Sequence, residues 1–295
     1  MSILVAGSAN LDFVVRATHI PAPGETVLGR DFQTFPGGKG ANQAVACARA
    51  GGAATQMLLS LGSDAFAAPL EASLKNAGVR MHISRSATLP TGTAFICVSD
   101  DAQNAITVAP GANQALHAAD LPSLAGVSHL LLQLETPLET VTAYAQAARR
   151  AGVRVVLNAA PAHALPPTLL EALDVLVVNE GELGEVTGVS DDIDAALARL
   201  AVPTVIVTLG ERGCCARHLG QRLQLPAFAV EPVDTTAAGD TFCGVLAAGL
   251  SQGDALIDAL HRASAAAAIV CTRPGAQASI PTQEEVAAFL SAHKR

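Results

Sequence analysis

The stretch Asp234-Thr235-Thr236-Ala237-Ala238-Gly239-Asp240 runs straight into the apolar segment Thr241-Phe242-Cys243-Gly244-Val245-Leu246-Ala247-Ala248. Small residues and a glycine just before a helical pattern let the backbone N–H groups of Ala237, Ala238 and Gly239 point outward at the positive end of a helix dipole, which makes an anion site. Asp240 falls in the first turn. A carboxylate there could take a proton from a nucleophile that attacks a phosphoryl group. The same residues also read as an ordinary capped helix start, with Asp240 complementing the dipole.

Two glycine-bearing stretches near the N-terminus could hold such a nucleophile. Gly37-Gly38-Lys39-Gly40-Ala41-Asn42 surrounds one lysine with three glycines, so a ligand could touch bare backbone just before a helix starts. Lys39 is followed by Gly40 and not by Ser or Thr, which rules out the G-x-x-x-x-G-K-[ST] phosphate loop and leaves a ligand loop or a flexible turn. Gly7-Ser8-Ala9-Asn10-Leu11-Asp12 follows the first apolar run, where an open parallel sheet places its ligand crevice. It lacks the G-x-G-x-x-G spacing of dinucleotide folds, and this disfavours a nicotinamide oxidoreductase. Asn10 and Asp12 would face the same side of an extended segment and offer an amide and a carboxylate to hydroxyls, or else they form a surface Asx turn.

Positioning these groups requires a scaffold, and the sequence predicts one. Short β-rich runs at 3–6, 55–61, 128–133, 153–157, 175–178 and 205–208 alternate with helical stretches at 40–50, 138–150, 180–187 and 192–200. That is the pattern of an α/β protein with a mainly parallel sheet. Two stretches, 13–35 and 92–110, carry short strands without a following helix, as expected of a small antiparallel sheet added at the edge, which could act as a lid. After 205–208 the order changes to strands near 214–218 and 223–225 and then to helices at 241–250, 256–270 and 284–293.

The 295 residues are 50% hydrophobic, ample for a sizeable core, and no repeat or linker divides them, so a single domain, 1–295, is expected. Eighteen Lys plus Arg against 26 Asp plus Glu give a net charge of −8, which argues against a nucleic-acid partner. Anionic substrates must then be held by local dipoles. The N-terminus does not read as a signal peptide, and no apolar stretch reaches the ~20 residues of a membrane span, so no membrane association is expected. Six cysteines in apolar surroundings without C-x-x-C spacing read as reduced thiols of a cytoplasmic protein, not as a zinc site.

Taken in order, Gly7 to Asp12, Gly37 to Asn42, Leu134-Glu135, Asn179-Glu180-Gly181-Glu182, Thr208-Leu209-Gly210-Glu211-Arg212-Gly213, Asp234 to Asp240 and Thr272-Arg273-Pro274-Gly275-Ala276-Gln277 resemble the ribokinase-like carbohydrate kinase family over nearly the full length. Each motif is modestly specific; the ordered set is strongly so. The resemblance implies a Rossmann-like α/β domain with helices on both faces of the sheet and a small β lid that pairs with its counterpart in a homodimer. The implied reaction is MgATP-dependent phosphorylation of the 5-hydroxyl of D-ribose, stimulated by a monovalent cation such as K⁺.

Residue by residue, the resemblance implies a sugar pocket of Asn10, Asp12, Gly38, Lys39, Gly40, Ala41, Asn42 and Glu135, with Asp240 as the base and Ala237, Ala238 and Gly239 as the anion hole. Asn179 and Glu182 would organise magnesium and phosphate, or serve as ordinary helix-start residues. Thr208, Leu209, Gly210, Glu211, Arg212 and Gly213 would form the nucleotide-side turn, joined by Gly239 and Ser264. A monovalent-cation site is implied by the Asp234 carboxylate, the carbonyls of Thr236, Val270, Arg273 and Gly275, and the Ser279 hydroxyl. Neutral oxygens with one formal charge suit a large, weakly hydrated cation better than Mg²⁺. Three positions depart from the family pattern: Ser264 stands where an asparagine is frequent, Pro274 where a basic residue is common, and Val245 where a small residue is favoured. A kinase for deoxyribose, fructose or a nucleoside, and a non-catalytic sugar-binding regulator on the same scaffold, remain the alternatives.

Overall fold

Short runs of valine, leucine and isoleucine build the central sheet of the computed structural model, which describes residues 1–101 and 103–293. Position 102 of the second expected lid segment, and the last two positions of the expected domain, lie outside the described residues. In chain order the strands are β1 (Ser2–Ala6), β2 (Asn10–Arg16), β3 (Arg30–Gly37), β4 (Thr55–Leu61), β5 (Arg80–Arg85), β6 (Gly92–Val98), β7 (Asn104–Ala109), β8 (Val127–Leu132), β9 (Arg154–Asn158), β10 (Val175–Asn179), β11 (Thr204–Thr208), β12 (Cys214–His218) and β13 (Gln221–Leu225). The helices are α1 (Lys39–Val45), α2 (Ala67–Asn76), α3 (Leu138–Arg150), α4 (Pro167–Leu170), α5 (Glu180–Thr187), α6 (Ile193–Ala198), α7 (Ala238–Gln252), α8 (Leu256–Cys271) and α9 (Gln283–Ala292).

Nine strands form the main sheet in the order β13-β12-β11-β10-β9-β8-β1-β4-β5, parallel from β11 through β5 and antiparallel at β12 and β13. Alternation along each strand feeds two cores. Ile3 and Val5 of β1 face the layer of α1, α2, α7, α8 and α9, while Leu4 and Ala6 face the layer of α3 to α6. The chain starts in β1, builds outward through β4 and β5, then returns to the other side of β1 at β8. The strand order therefore reverses between β1 and β8, the place where an open α/β sheet leaves a crevice at its carboxyl edge.

The second sheet has the order β3-β2-β6-β7. Its two outer pairings are antiparallel and the central one, β2 with β6, is parallel, because both strands leave the main domain in the same direction. Its strands begin closer to the main sheet than the expected 13–35 segment does. Asn10 and Asp12 thus lie within β2, in register with Gly92 and Ala94 of β6.

Most other elements fall within one or two residues of their expected bounds. The helix expected over 40–50 is divided: after α1 a π-helical turn, Ala46–Ala50, follows. There α7 approaches so closely that a Cβ on Gly244 would meet the Gln43 carbonyl at 2.6 Å, and the Cys47 thiol donates to the Gly244 carbonyl at 3.2 Å. Two further elements, α2 and β5, stand between β4 and the lid although the sequence reading did not include them. Ala67, Leu70 and Leu74 are the buried stripe of α2, at helical spacing. All six cysteines are free, four of them buried. No described helix is long and apolar enough to cross a membrane.

Candidate active site

The crevice between β1 and β8 receives Gly7-Ser8 from one strand end and Glu135 from the loop after the other. The Ser8 hydroxyl donates to the Glu135 carboxylate at 2.5 Å and accepts the Gly40 N–H at 3.2 Å, and the same carboxylate oxygen accepts the Lys39 N–H at 3.1 Å. The start of α1 is therefore tied across the switch point. Gly38 turns the chain into that helix with φ +88°, a conformation that an L side chain resists, and a Cβ there would also lie 2.7 Å from the Asn10 N.

The amide of Asn113, in the 3₁₀ turn Gly111–Ala115, fixes Asn10: it donates to Asn10 Oδ1 at 2.7 Å and accepts the Ala9 N–H at 3.0 Å. Asp12, on the same side of β2, is buried, and among the described residues no cation is paired to it. Burial, reinforced by the Glu135 and Asp240 carboxylates, pushes its carboxyl up to about 7. Lys39 is the counterweight. Burial alone would lower its ammonium, yet the surrounding Asp240, Glu135 and Glu182 carboxylates outweigh that and hold it above the ordinary lysine value. Asp12, Lys39, Asn42, Glu135, Glu182 and Asp240 thus converge on one electrostatic centre, although they come from separate parts of the chain.

Asp240 is 8% exposed and occupies the first turn of α7. One of its carboxylate oxygens accepts the Asn42 side-chain amide at 3.0 Å and the other accepts the Gln43 amide at 3.0 Å. Ala237 precedes the helix in the left-handed region, with φ 61°, a conformation that costs a non-glycine residue roughly 1–2 kcal/mol. Of the three N–H groups expected to form the anion hole, Ala238 donates to the Thr235 carbonyl at 3.2 Å, because the left-handed residue closes a turn there. Among the described residues no acceptor meets the N–H groups of Ala237, Gly239 and Asp240, and a Cβ on Gly239 would touch nothing within 4 Å. The free amides of this loop are therefore Ala237, Gly239 and Asp240, and the space before them is open.

On the nucleotide side, Asn179 and Glu182 form the capping box of α5: Asn179 Oδ1 accepts the Glu182 N–H, and Glu182 Oε2 accepts the Asn179 N–H, both at 2.8 Å. Both residues thus serve the helix start, and the second Glu182 carboxylate oxygen is not used by the capping box. Burial raises the Glu182 carboxyl, against the opposing pull of the Asn179 N–H and Lys39. No group of three or more His, Cys, Asp or Glu among the described residues could cage a metal.

Thr208 ends β11, and Gly210–Arg212 form a short 3₁₀ turn closed by the Leu209 N–H to the Gly213 carbonyl at 2.8 Å. Gly210 faces open space, whereas a Cβ on Gly213 would strike the backbone at Ala227, so Gly213 serves packing. Glu211 is exposed and Arg212 pairs with Glu180. Ser264, on α8, faces the thiol of Cys214, which burial pushes up to about 11 and the serine contact pulls down.

Of the residues expected at the monovalent-cation site, Asp234, Thr236 and Gly275 are joined by hydrogen bonds. Asp234 accepts the N–H of Thr236 at 2.9 Å and of Gly275 at 2.8 Å, and the Cys271 carbonyl accepts both Val233 and Asp234 N–H groups. The Ser279 hydroxyl donates to the Ala276 carbonyl at 2.7 Å, and the Val270 carbonyl accepts the Arg273 N–H at 3.0 Å. Arg273 commits its guanidinium to Glu285 at 2.6 Å rather than to Asp234. Burial alone would raise the Asp234 carboxyl, but the Thr236 and Gly275 hydrogen bonds hold it below the ordinary range. One carboxylate among neutral oxygens fits a large monovalent cation. A cavity of about 500 Å³ lies between this loop and the inner face of the lid, where Asp12, Arg16 and Gln33 contribute polar groups.

The sequence reading did not single out Gln43, Asn113, Gln133, Asn158 or Gln277. The available signal was the placement of amides inside otherwise apolar segments, as in Gln133 directly after the buried strand β8.

A family model described as pfkB family carbohydrate kinase matches residues 1–283. The chain is 39% identical to the ribokinase of Haemophilus influenzae, an alignment that covers 98% of each protein. Its fold is similar to the crystal structure of the Thermotoga maritima ribokinase, with a TM-score of 0.91 and 38% identity over 99% of each chain. It is also similar to the Arabidopsis thaliana ribokinase complexed with ribose and ATP, with a TM-score of 0.90 and 32% identity over 98% of each chain. Matched along nearly its whole length by that family model, the chain belongs to the pfkB family of carbohydrate kinases.

Proposed function

We propose that this sugar kinase transfers the γ-phosphoryl group of ATP to the 5-hydroxyl of D-ribose, with Asp240 accepting the hydroxyl proton. The observation that carries the reading is the pairing of the Asp240 carboxylate with the free Gly239 and Asp240 N–H groups at one helix start. The Haemophilus influenzae and Thermotoga maritima relatives are named ribokinases, and the Arabidopsis relative is a complex with ribose and ATP, which supports ribose and ATP as the substrates.

A pentose presents little but hydroxyls. Asn10, Asp12, Asn42 and Glu135, with the backbone of Gly38, Lys39, Gly40 and Ala41, would meet them, and an unpaired carboxylate in a closed pocket would be costly. The 5-hydroxyl would approach Asp240 from the sugar side. Because phosphoryl transfer has a loose transition state, a carboxylate suffices to take the proton late in the step. The Gly239 amide and its neighbours would stabilise charge developing on the transferred group, and Lys39 would offset the charge gathered beside it. Asn179, Glu182 and the 208–213 turn would hold the phosphates, their Mg²⁺ and the adenosine; bound Mg²⁺ supplies charge neutralisation to the phosphates. The loop from Asp234 to Thr236, with the oxygens of Val270, Arg273, Gly275 and Ser279, would bind K⁺ and stiffen the anion hole.

We further infer a homodimer through the exposed lid, where Phe32 and Phe95 leave apolar surface uncovered, and a cytoplasmic setting that suits six free thiols. One coupled assay of ATP consumption over ribose, deoxyribose, fructose and a nucleoside, in K⁺ and in Na⁺ at matched ionic strength, tests the proposal. Ribose should be turned over with the highest kcat/KM, and K⁺ should raise kcat. A higher kcat/KM for another acceptor would overturn the substrate, and equal rates in the two salts would overturn the cation site.

A further inference from the structure

Asp240 is held by two chains of side-chain amides, each anchored away from the crevice. On one side Asn42 donates to Asp240 while its Oδ1 accepts the Gln277 amide at 3.1 Å, and Gln277 Oε1 accepts the Ser73 hydroxyl at 2.5 Å. On the other side the Gln43 Nε2 donates to both Asp240 Oδ1 and Asn158 Oδ1, each at 3.0 Å. An amide has a donor end and an acceptor end, so something must decide which end meets the carboxylate. Asn158 Nδ2 donates to the Val177 carbonyl at 3.3 Å, and a backbone carbonyl can only accept. This fixes the Asn158 oxygen toward Gln43. The Gln43 oxygen is fixed in turn by the Gln133 amide, which donates to it at 2.6 Å.

We infer that Gln43 is a positioning residue for the phosphoryl-transfer step: held by Asn158 and Gln133, it sets the carboxylate of Asp240 at the angle from which it takes the sugar proton. Gln43 is fully buried, and Gln133 is too. A surface amide could turn to water, whereas the buried Gln43 amide, with its donor and its acceptor both paired, is held in one direction. Gln133 also explains Gly7, because its Oε1, which has no hydrogen-bond partner among the described residues, occupies the space that a Cβ on Gly7 would need. The residue after the first strand is thus glycine, which admits an amide that orients another amide.

The inference rests on Asp240 being the base, and a double-mutant cycle separates the two claims. Gln43→Met keeps the shape and removes the donor. In the otherwise unchanged enzyme it should lower kcat by about 10²-fold, the usual consequence of a carboxylate misplaced by an ångström, with the KM values for ribose and ATP within about threefold. Introduced into the Asp240→Asn protein, the same change should cost less than about threefold, because the group it orients is already disabled. Gln133→Met, which frees the Gln43 amide to rotate, should lower kcat less than Gln43→Met, again without moving either KM, and it tests the inference if Gln43→Met does not fold. An unchanged kcat in the folded variants, a parallel rise in KM, or equal losses with and without the Asp240→Asn change would overturn the positioning role. A wild-type rate for Asp240→Asn alone would overturn the base assignment beneath it.

Discussion

The proposed sugar end and the proposed nucleotide end of the site are built in opposite ways. At the sugar end the decisive contacts join residues far apart in sequence: Asn42 and Gln43 reach Asp240 over separations of 198 and 197 residues, and Ser8 reaches Glu135 over 127. At the nucleotide end they are local. Asn179 and Glu182 cap each other three residues apart, and the Leu209 to Gly213 turn closes on itself. The sugar end is buried, and Asn10, Asn42, Glu135 and Asp240 are already held by hydrogen bonds. The nucleotide end is exposed and leaves backbone and one carboxylate oxygen open, as suits a substrate that brings its own metal ion and water. Local motifs survive the loss of distant packing, whereas the sugar end fails whenever either of its two helices shifts.

The largest expected effect is at the meeting point of the two ends. Asp240→Asn should keep the fold and bind sugar, yet lower kcat by ~10²-fold or more, as removal of a general base does. Steady-state kinetics on the purified variant measures this, and turnover within a few fold of the parent would dissolve the distinction drawn at Asp240.

Next in size are Asp12→Ala and Asn42→Ala, each expected to weaken ribose by ~1–3 kcal/mol through loss of one buried hydrogen-bond partner, with ATP affinity little changed. Calorimetric titration of each ligand shows whether the two ends are energetically separate. Equal losses for ribose and ATP would show that they are not.

A pH effect is expected at the sugar end. The Asp12 carboxyl is raised from its ordinary value of 3.8 to about 7, so between these values the folded protein binds a proton that the unfolded chain releases. Stability of the ligand-free protein should therefore fall as pH rises from about 4 to about 7. Asp12→Asn should flatten that slope. Chemical denaturation across the window reads both proteins, and identical slopes would remove Asp12 as its source.

The smallest effect is assigned to the nucleotide end. Asn179→Ala removes a side-chain cap and should cost about 1 kcal/mol of stability while raising the KM for ATP and leaving that for ribose unchanged. Denaturation and kinetics on the same sample decide it; a shift in ribose KM would join the ends that the geometry keeps apart.

Local regularity explains what was legible in the chain itself. The bounds 55–61, 138–150 and 180–187 coincide with β4, α3 and α5, because continuous apolar runs and capping residues specify strands and helices within a few positions. Helix α7 was legible for the same reason: Asp234 to Asp240 is a turn and a first helical turn in one stretch. The Asn179 to Glu182 box likewise needs only its own residues. Where two elements meet, the sequence was silent. Nothing in Ala46 to Ala50 announces a π-helical turn, which arises where α7 packs against it through Gly244. Nothing around Asn10 shows that the lid strand begins there, since that boundary is set by pairing with β6 and with β3. The tertiary structure alone chose which of many glutamines and asparagines matter. Gln43, Gln133 and Asn158 look like ordinary polar residues in sequence, and the Asp240 carboxylate and the Val177 carbonyl, which can only accept, give the Gln43 and Asn158 amides one permitted direction each, because a buried donor or acceptor cannot turn to water for its partner.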